Sequence, residues 1–466
     1  MNKAEKDTKE KKKSRKSIIY FIGCLVFSLG MTWLLREPNF TDSQVYALFL
    51  LFFAISLWIT EAIPPFAVGL FILAYLTYTF GNPHLNSNPE PIDKYVNTFS
   101  SRVIWLLLGG FFLGAAMSKT RLDMKLLRFV LHHSGTNPRN ILIVLMFTTM
   151  VASMLMSGTA TTAMIVVAIM PLLNTLGKSG ISKAMLLGVA MASSLGGMGT
   201  IIGSPANAMT VGILENEGVR VSFLSWMIYG LPVAIVLTAL CCWLLLKIFV
   251  KTNDPLSLAF LDNDKDNEEE SPFQQRIVIG VLLVTILLWL TSSWHDITVA
   301  AVSAIPLVVL TLTRVLTSAD MKALPWDTLF LVAGGLSLGA ALQSTEILHH
   351  YVHQFKDIDI NPYVFILIFA LVSNIFAGLM SNAASTMILV PLGMTLLAGL
   401  EKEVALSIAL AASTAIFLPI STTANAIVYS TELLDQKDFR LVGLLIGVLG
   451  PVLAVLWVLL VGGKLF

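Results

Sequence analysis

Residues 157 to 164 read Ser-Gly-Thr-Ala-Thr-Thr-Ala-Met, a small, polar, glycine-bearing stretch inside a long apolar region. A mate stands later in the chain, Ser381-Asn382-Ala383-Ala384-Ser385-Thr386. Each follows a methionine, Met156 or Met380, and each leads into a proline, Pro171 or Pro391. Irregular, polar backbone at membrane depth survives only where protein or a water-filled cavity satisfies it. The two stretches therefore read as the tips of two re-entrant hairpins, over 140–176 and 362–399, that meet at one binding site inside a membrane.

The membrane follows from composition. Of 466 residues, 56% are hydrophobic and 13% charged, against roughly 25% charged in soluble domains. A span needs about 20 apolar residues. Spans are expected near 17–36, 44–63, 65–80, 103–130, 184–212, 224–250, 275–293, 296–313, 326–348, 403–430 and 440–463. The expectation is an all-α polytopic membrane protein with about eleven transmembrane helices and two re-entrant hairpins.

Charge sets orientation. Residues 1–16 carry Lys3, Lys6, Lys9, Lys11, Lys12, Lys13, Arg15 and Lys16, a basic tail expected on the cytoplasmic side. The apolar run from Ser17 to Leu35 lacks a small-residue cleavage site and reads as a first span rather than a signal peptide. Lys119, Arg121, Lys125, Arg128 and Arg139 place the end of the fourth span inside, and Lys178 and Lys183 return the first hairpin to that side. The net charge of +1 points to no nucleic acid or acidic partner. Cys24, Cys241 and Cys242 form no disulfide framework.

The chain also repeats itself. Leu108-Gly109-Gly110-Phe111-Phe112-Leu113-Gly114-Ala115-Ala116 matches Ala333-Gly334-Gly335-Leu336-Ser337-Leu338-Gly339-Ala340-Ala341, an offset of 334 − 109 = 225. The tips are offset by 381 − 157 = 224, and Ala206-Asn207-Ala208 matches Ala424-Asn425-Ala426 at 425 − 207 = 218. Five spans separate equivalent positions, and an odd number inverts the copy. Inverted repeats with broken helices are the architecture of secondary transporters. The division is a basic tail (1–16), scaffold helices (17–102), a first repeat (103–250), an internal linker loop (251–274) and a second repeat (275–466).

Each half supplies two uncharged breaks: Ser157-Gly158-Thr159 with Gly199 to Asn207, and Ser381-Asn382-Ala383 with Pro419 to Asn425. They offer hydroxyls, the amides of Asn207, Asn382 and Asn425, and helix N-termini. A helix N-terminus carries about half a positive charge and unpaired N–H groups, enough to hold an anion without Arg or Lys. The glycines of the matched Gly-Gly segments read as helix-packing residues.

Other candidates are weaker. His349, His350 and His353 have zinc-like spacing but sit at a helix end without a carboxylate motif. Glu61, in Trp58-Ile59-Thr60-Glu61-Ala62-Ile63-Pro64-Pro65, is an acid at the end of a span. The run Asp262-Asn263-Asp264-Lys265-Asp266 lacks the glycine and distant glutamate of a calcium loop. No nucleophile–base pair or phosphate loop is present, so no enzyme is expected. Two hairpins meeting tip to tip oppose a continuous channel.

Taken together, Trp58 to Pro64, the tips at Ser157 and Ser381, Gly203-Ser204-Pro205-Ala206-Asn207 and Pro419 to Tyr429 resemble the divalent anion:sodium symporter family of di- and tricarboxylate carriers, over nearly the whole chain after the tail. The resemblance implies a homodimer in the plasma membrane, scaffold and transport domains, and elevator-type movement. It implies substrate contacts from Ser157, Gly158, Thr159, Ser204, Pro205, Ser381, Asn382, Ala383, Thr422 and Thr423. Weak sodium sites would involve Ser153, Ser157, Gly203, Ser381 and Asn382. The chain departs from the family's Ser-Asn-Thr tips at Gly158 and Ala383. Ser153 keeps the hydroxyl one turn before the first tip, and Ala377 lacks it at the second. These losses tilt the expectation from sodium symport, the alternative, toward exchange of succinate, malate, fumarate or 2-oxoglutarate. No cofactor is required.

Overall fold

The structure is a computed structural model that describes residues 3–251, 254–257, 271–295, 297–352 and 361–465. The run 262–266, His353 and the side chains of residues 3–15 lie outside the described residues.

Among these residues the fold is all-helical. In chain order the helices are α1 (Lys3–Leu35), α2 (Asp42–Thr60), α3 (Pro65–Phe80), α4 (Arg102–Lys119), α5 (Leu122–His133), α6 (Pro138–Leu155), α7 (Gly158–Leu176), α8 (Gly180–Gly197), α9 (Pro205–Asn216), α10 (Phe223–Phe249), α11 (Pro272–Leu290), α12 (Val299–Leu312), α13 (Trp326–Ser344), α14 (Pro362–Leu379), α15 (Asn382–Leu396), α16 (Glu401–Ala412), α17 (Thr423–Tyr429) and α18 (Gln436–Leu465). Short helical turns fill some of the connections. Nine described helices, or helices with an adjoining turn, are long and apolar enough to cross a membrane.

The helix starts follow a local rule. Ser, Thr or Asn accepts a backbone N–H of the first turn, which satisfies an otherwise orphaned donor. Thr41 does so for α2 with a full capping box, Asn137 for α6, Ser271 for α11 and Asn361 for α14. In α6, α11 and α14 a proline opens the helix, where its missing N–H costs nothing.

The expected span 103–130 is corrected: it ends at Lys119. Arg121 adopts a left-handed conformation (φ 54°) and the chain restarts as the separate helix α5. Lys119, Arg121, Asp123 and Lys125 fall within about two turns, so the apolar span has to end there. α5 turns Asp123, Leu127 and Leu131 inward and leaves Leu126 and Phe129 exposed. The expected spans 184–212 and 403–430 are each two helices, α8–α9 and α16–α17, divided at the breaks noted above.

Packing sorts the helices into two groups. α3 lies on α13, α4 on α12, α11 on α12, and α1 on α2. The second group joins α6 to α8, α14 to α16, α15 to α16, α8 to α10, and α18 to α10, α14 and α16. Among the described residues the helices of 17–80 meet the rest of the bundle mainly where α3 and α2 pack on α13, with a smaller contact of α2 on α15. The matched Gly-Gly segments do the same job in each half. A Cβ on Gly334 would meet the Gly69 backbone at 2.3 Å, and one on Gly109 would meet Ser303 Cβ at 2.8 Å. Small residues let helix backbones touch where hydrophobic exclusion between helices is weak.

Candidate functional site

Each tip is built in the same way. α6 ends at Leu155, Met156 is extended, and the Ser157 side chain accepts the Ala160 N–H at 3.2 Å. α14 ends at Leu379, and Ser381 accepts the Ala384 N–H at 3.1 Å. Thr422 caps α17 by accepting the Asn425 N–H at 3.1 Å. Ser204, before Pro205, makes no such cap to α9, although it is buried.

The loops behind Ser204 and Thr422 are braced by matching asparagines. Asn207 Nδ2 donates to the carbonyls of Gly197 (2.8 Å) and Thr200 (2.7 Å). Asn425 Nδ2 donates to those of Ile416 (3.2 Å) and Leu418 (2.8 Å). Their amide donors, expected to face a ligand, are committed to the fold. Among the described residues their Oδ1 atoms, and that of Asn382, are buried without a hydrogen-bond partner. A buried unpaired acceptor costs about 1–3 kcal/mol.

The two halves are joined crosswise. α7, which follows the first tip, packs on α17 of the second half, and α15, which follows the second tip, packs on α9 of the first. The hydroxyls of Thr159 and Thr423 lie 2.5 Å apart. Among the described residues no hydrogen bond links Ser157 to Ser381. The two crosswise pairs differ in cover. Thr159 and Thr423 are exposed and Ile420 is 82% exposed, whereas Ser204, Ala206, Ala383 and Ala384 are buried where α9 packs on α4 and α13. All four breaks are free of ionisable side chains.

Two of the expected cation ligands, Ser153 and Gly203, donate hydrogen bonds within the fold. Ser153 donates to the Ser193 carbonyl at 2.7 Å, and Ser193 donates to the Gly158 carbonyl at 2.8 Å. The Gly203 N–H donates to Thr200 Oγ1, which donates to the Met154 carbonyl. A Cβ on Gly158 would lie 3.0 Å from Ser193 Oγ, so the Ser193 hydroxyl occupies the space that a side chain at position 158 would need. Ser193 was not legible as a site residue, because its role depends on which loop it faces.

The remaining candidates resolve simply. Glu61 ends α2 in a left-handed conformation. His350 Nε2 lies 3.1 Å from Glu37 Oε1, beside the rings of Phe40 and Tyr351. Cys24, Cys241 and Cys242 are buried free thiols. Among the described residues no three His, Cys, Asp or Glu side chains form a metal-binding group.

Broken helices from two repeated halves, joined through uncharged polar starts inside a bundle of membrane-length helices, define a multi-pass membrane transporter. The sequence profile described as the sodium:sulfate symporter transmembrane region matches residues 15–466, and the chain belongs to that family. It is a transporter and not an enzyme. Similar proteins include the sodium-dependent dicarboxylate transporter SdcS of Staphylococcus saprophyticus, 29% identical over 93% of this chain and 89% of the relative. SdcS of Staphylococcus aureus is 26% identical over 96% of this chain and 92% of its own. Among solved structures, the fold is shared with the YdaH transporter of Alcanivorax borkumensis (TM-score 0.59, 13% identity, 86% of this chain and 99% of that one). It is also shared with MtrF of Neisseria gonorrhoeae (TM-score 0.58, 13% identity, 85% and 94%).

Proposed function

We propose that the chain is a secondary transporter of C4 and C5 dicarboxylates, such as succinate, malate, fumarate or 2-oxoglutarate, working by alternating access as an anion exchanger. The observation that carries this reading is the crosswise joining of uncharged helix starts from both halves, closed at Thr159 and Thr423. Three helices of some length, α7, α9 and α15, begin at the breaks. Their N-termini together supply roughly +1.5 charges against the −2 of a dicarboxylate. Such a carrier moves most readily when loaded, which is the behaviour of an exchanger. Ser157, Gly158, Thr159, Ser204, Pro205, Ser381, Asn382, Ala383, Thr422 and Thr423 would form the cargo site. The free Oδ1 of Asn382 suits a hydroxyl or a protonated carboxyl on the cargo. The names of the SdcS relatives support the dicarboxylate class.

In this reading α6–α7 and α14–α15 are re-entrant hairpins of an inverted repeat. α1–α4 and α11–α13 are the scaffold, and the remaining broken helices move as an elevator in a homodimer of the plasma membrane. With the basic tail cytoplasmic, the uncovered Thr159–Thr423 side faces inward. Ala377, which offers no side-chain oxygen at the second tip, supports sodium-independence. The test is exchange of labelled succinate by Ser381→Ala and Asn382→Ala in proteoliposomes. Loss of exchange with a well-folded protein supports the assignment, and normal exchange by both variants refutes it.

A further inference from the structure

The two repeats carry one contact in mirrored form. Met154 lies on the arm before the first tip, and its side chain packs on Gly199 in the facing loop, where a Cβ would meet the methionine Cε at 2.7 Å. Adding the tip offset of 224 to Met154 gives Gly378, and adding the loop offset of 218 to Gly199 gives Phe417. There the large residue is on the loop: a Cβ on Gly378 would meet Phe417 Cζ at 2.5 Å. One of the two braces keeps that offset, since Thr200 and Leu418 offer carbonyls to Asn207 and Asn425, and the other, Gly197 and Ile416, is one residue longer.

The same offsets expose a second difference. Ser153 and Ser193 form the hydroxyl chain behind the first tip. Their counterparts are Ala377 and Ala411, both fully buried. Ala377, Ala412 and Ala415 form a small apolar cluster of their own, with Phe417 packed against it. The rear of the first tip is therefore lined by oxygens; at the second, methyl groups and the Phe417 ring stand next to the tip, and the hydrogen-bonded pair Asn374 and Thr414 lies one turn of α14 before Ala377. Hard cations take oxygen ligands, and an ion set against such a surface loses its hydration without compensation.

We propose that Phe417 is a positioning residue that holds the second tip closed by packing, in the place where a coupling cation would otherwise do so. The tip then closes without sodium. This rests on reading the second tip as part of the cargo site, but its test does not depend on the cargo. Packing a phenylalanine side chain against an arm shifts a local opening equilibrium toward the closed form.

The experiment is thiol alkylation at Ser381→Cys in the full-length protein, with no dicarboxylate present and with sodium or choline as the cation. The native cysteines are buried, so the background is low. The expected rate is slow and equal in the two salts. Adding Phe417→Ala should raise it at least about tenfold, in sodium and choline alike, and Phe417→Met should return it toward the starting value. Two results overturn the proposal: slowing of Ser381→Cys labelling by sodium while Phe417 is intact, or no acceleration by Phe417→Ala. If Phe417→Ala does not fold, the salt comparison and Phe417→Met decide the question. Absence of succinate exchange by the unaltered chain would count against the proposed function and leave these rates meaningful.

Discussion

The hydroxyls of Thr159 and Thr423 meet at 2.5 Å, although 264 residues separate them in the chain. One stands at the start of the helix after the first tip, the other at the start of the second half's broken helix. The contact is made between two repeats and not within either. In the proposed function, a cargo that enters the crossing takes over these hydroxyls.

Thr159→Val and Thr423→Val each remove one hydroxyl while keeping the branched shape. Where a site is built to hydrogen-bond its ligand, an unreplaced bond costs about 1–3 kcal/mol. The KM for succinate exchange should rise at least about fivefold in either variant. An unchanged KM in both would remove these residues from the cargo site.

Gly158→Asn restores a residue type found at the second tip, but Ser193 Oγ is 3.0 Å from the first added carbon. The single change should cost about 1–3 kcal/mol, the usual range for overpacking, and should lower the midpoint of thermal unfolding. Gly158→Asn with Ser193→Ala copies the Asn382–Ala411 pairing of the other half and should recover most of the loss. If the double variant is no more stable than the single one, the two halves are not related as described.

Lys183, at the start of α8, lies 2.7 Å from Asp438 Oδ2 and 3.4 Å from Asp435 Oδ2. The Asp438 side chain is 7% exposed and that of Lys183 17%. Lys183→Met leaves a buried carboxylate without its cation, which costs up to about 3–5 kcal/mol when the site is dry. Partial exposure of the lysine reduces the expected loss to about 1–3 kcal/mol. Adding Asp438→Asn should recover part of it, measured by thermal unfolding in detergent. Full stability of Lys183→Met would show that the ion pair does not hold the two halves together.

Gly334→Ala places a methyl group 2.3 Å from the Gly69 backbone. Backbone cannot rotate away as a side chain can, so α3 and α13 must separate. The expected result is loss of folded protein, or destabilisation of at least about 2 kcal/mol, whereas Gly463→Ala, with open space around it, should be neutral.

Much of this was legible because repeats leave a numerical trace. The offsets of 224 and 218 mark, in the sequence itself, the helix breaks at 156–158, 198–204, 380–381 and 413–422. Composition gave the membrane, and the caps gave the helix starts. What stayed hidden depends on tertiary contact. Asn207 and Asn425 looked like ligand donors, yet their donors brace neighbouring loops. Ser193 and Phe417 lie in unremarkable apolar sequence, and only the residues they face give them a role. The bend at Arg121 was missed because the apolar residues of α5 continue past the charges, so hydropathy alone ran α4 and α5 together.

The most direct measurement is labelled succinate uptake into proteoliposomes, with and without internal dicarboxylate, in sodium and in choline. The account predicts uptake that requires internal dicarboxylate and is equal in the two salts. Uptake into empty vesicles driven by a sodium gradient would contradict it and make the chain a sodium-coupled symporter.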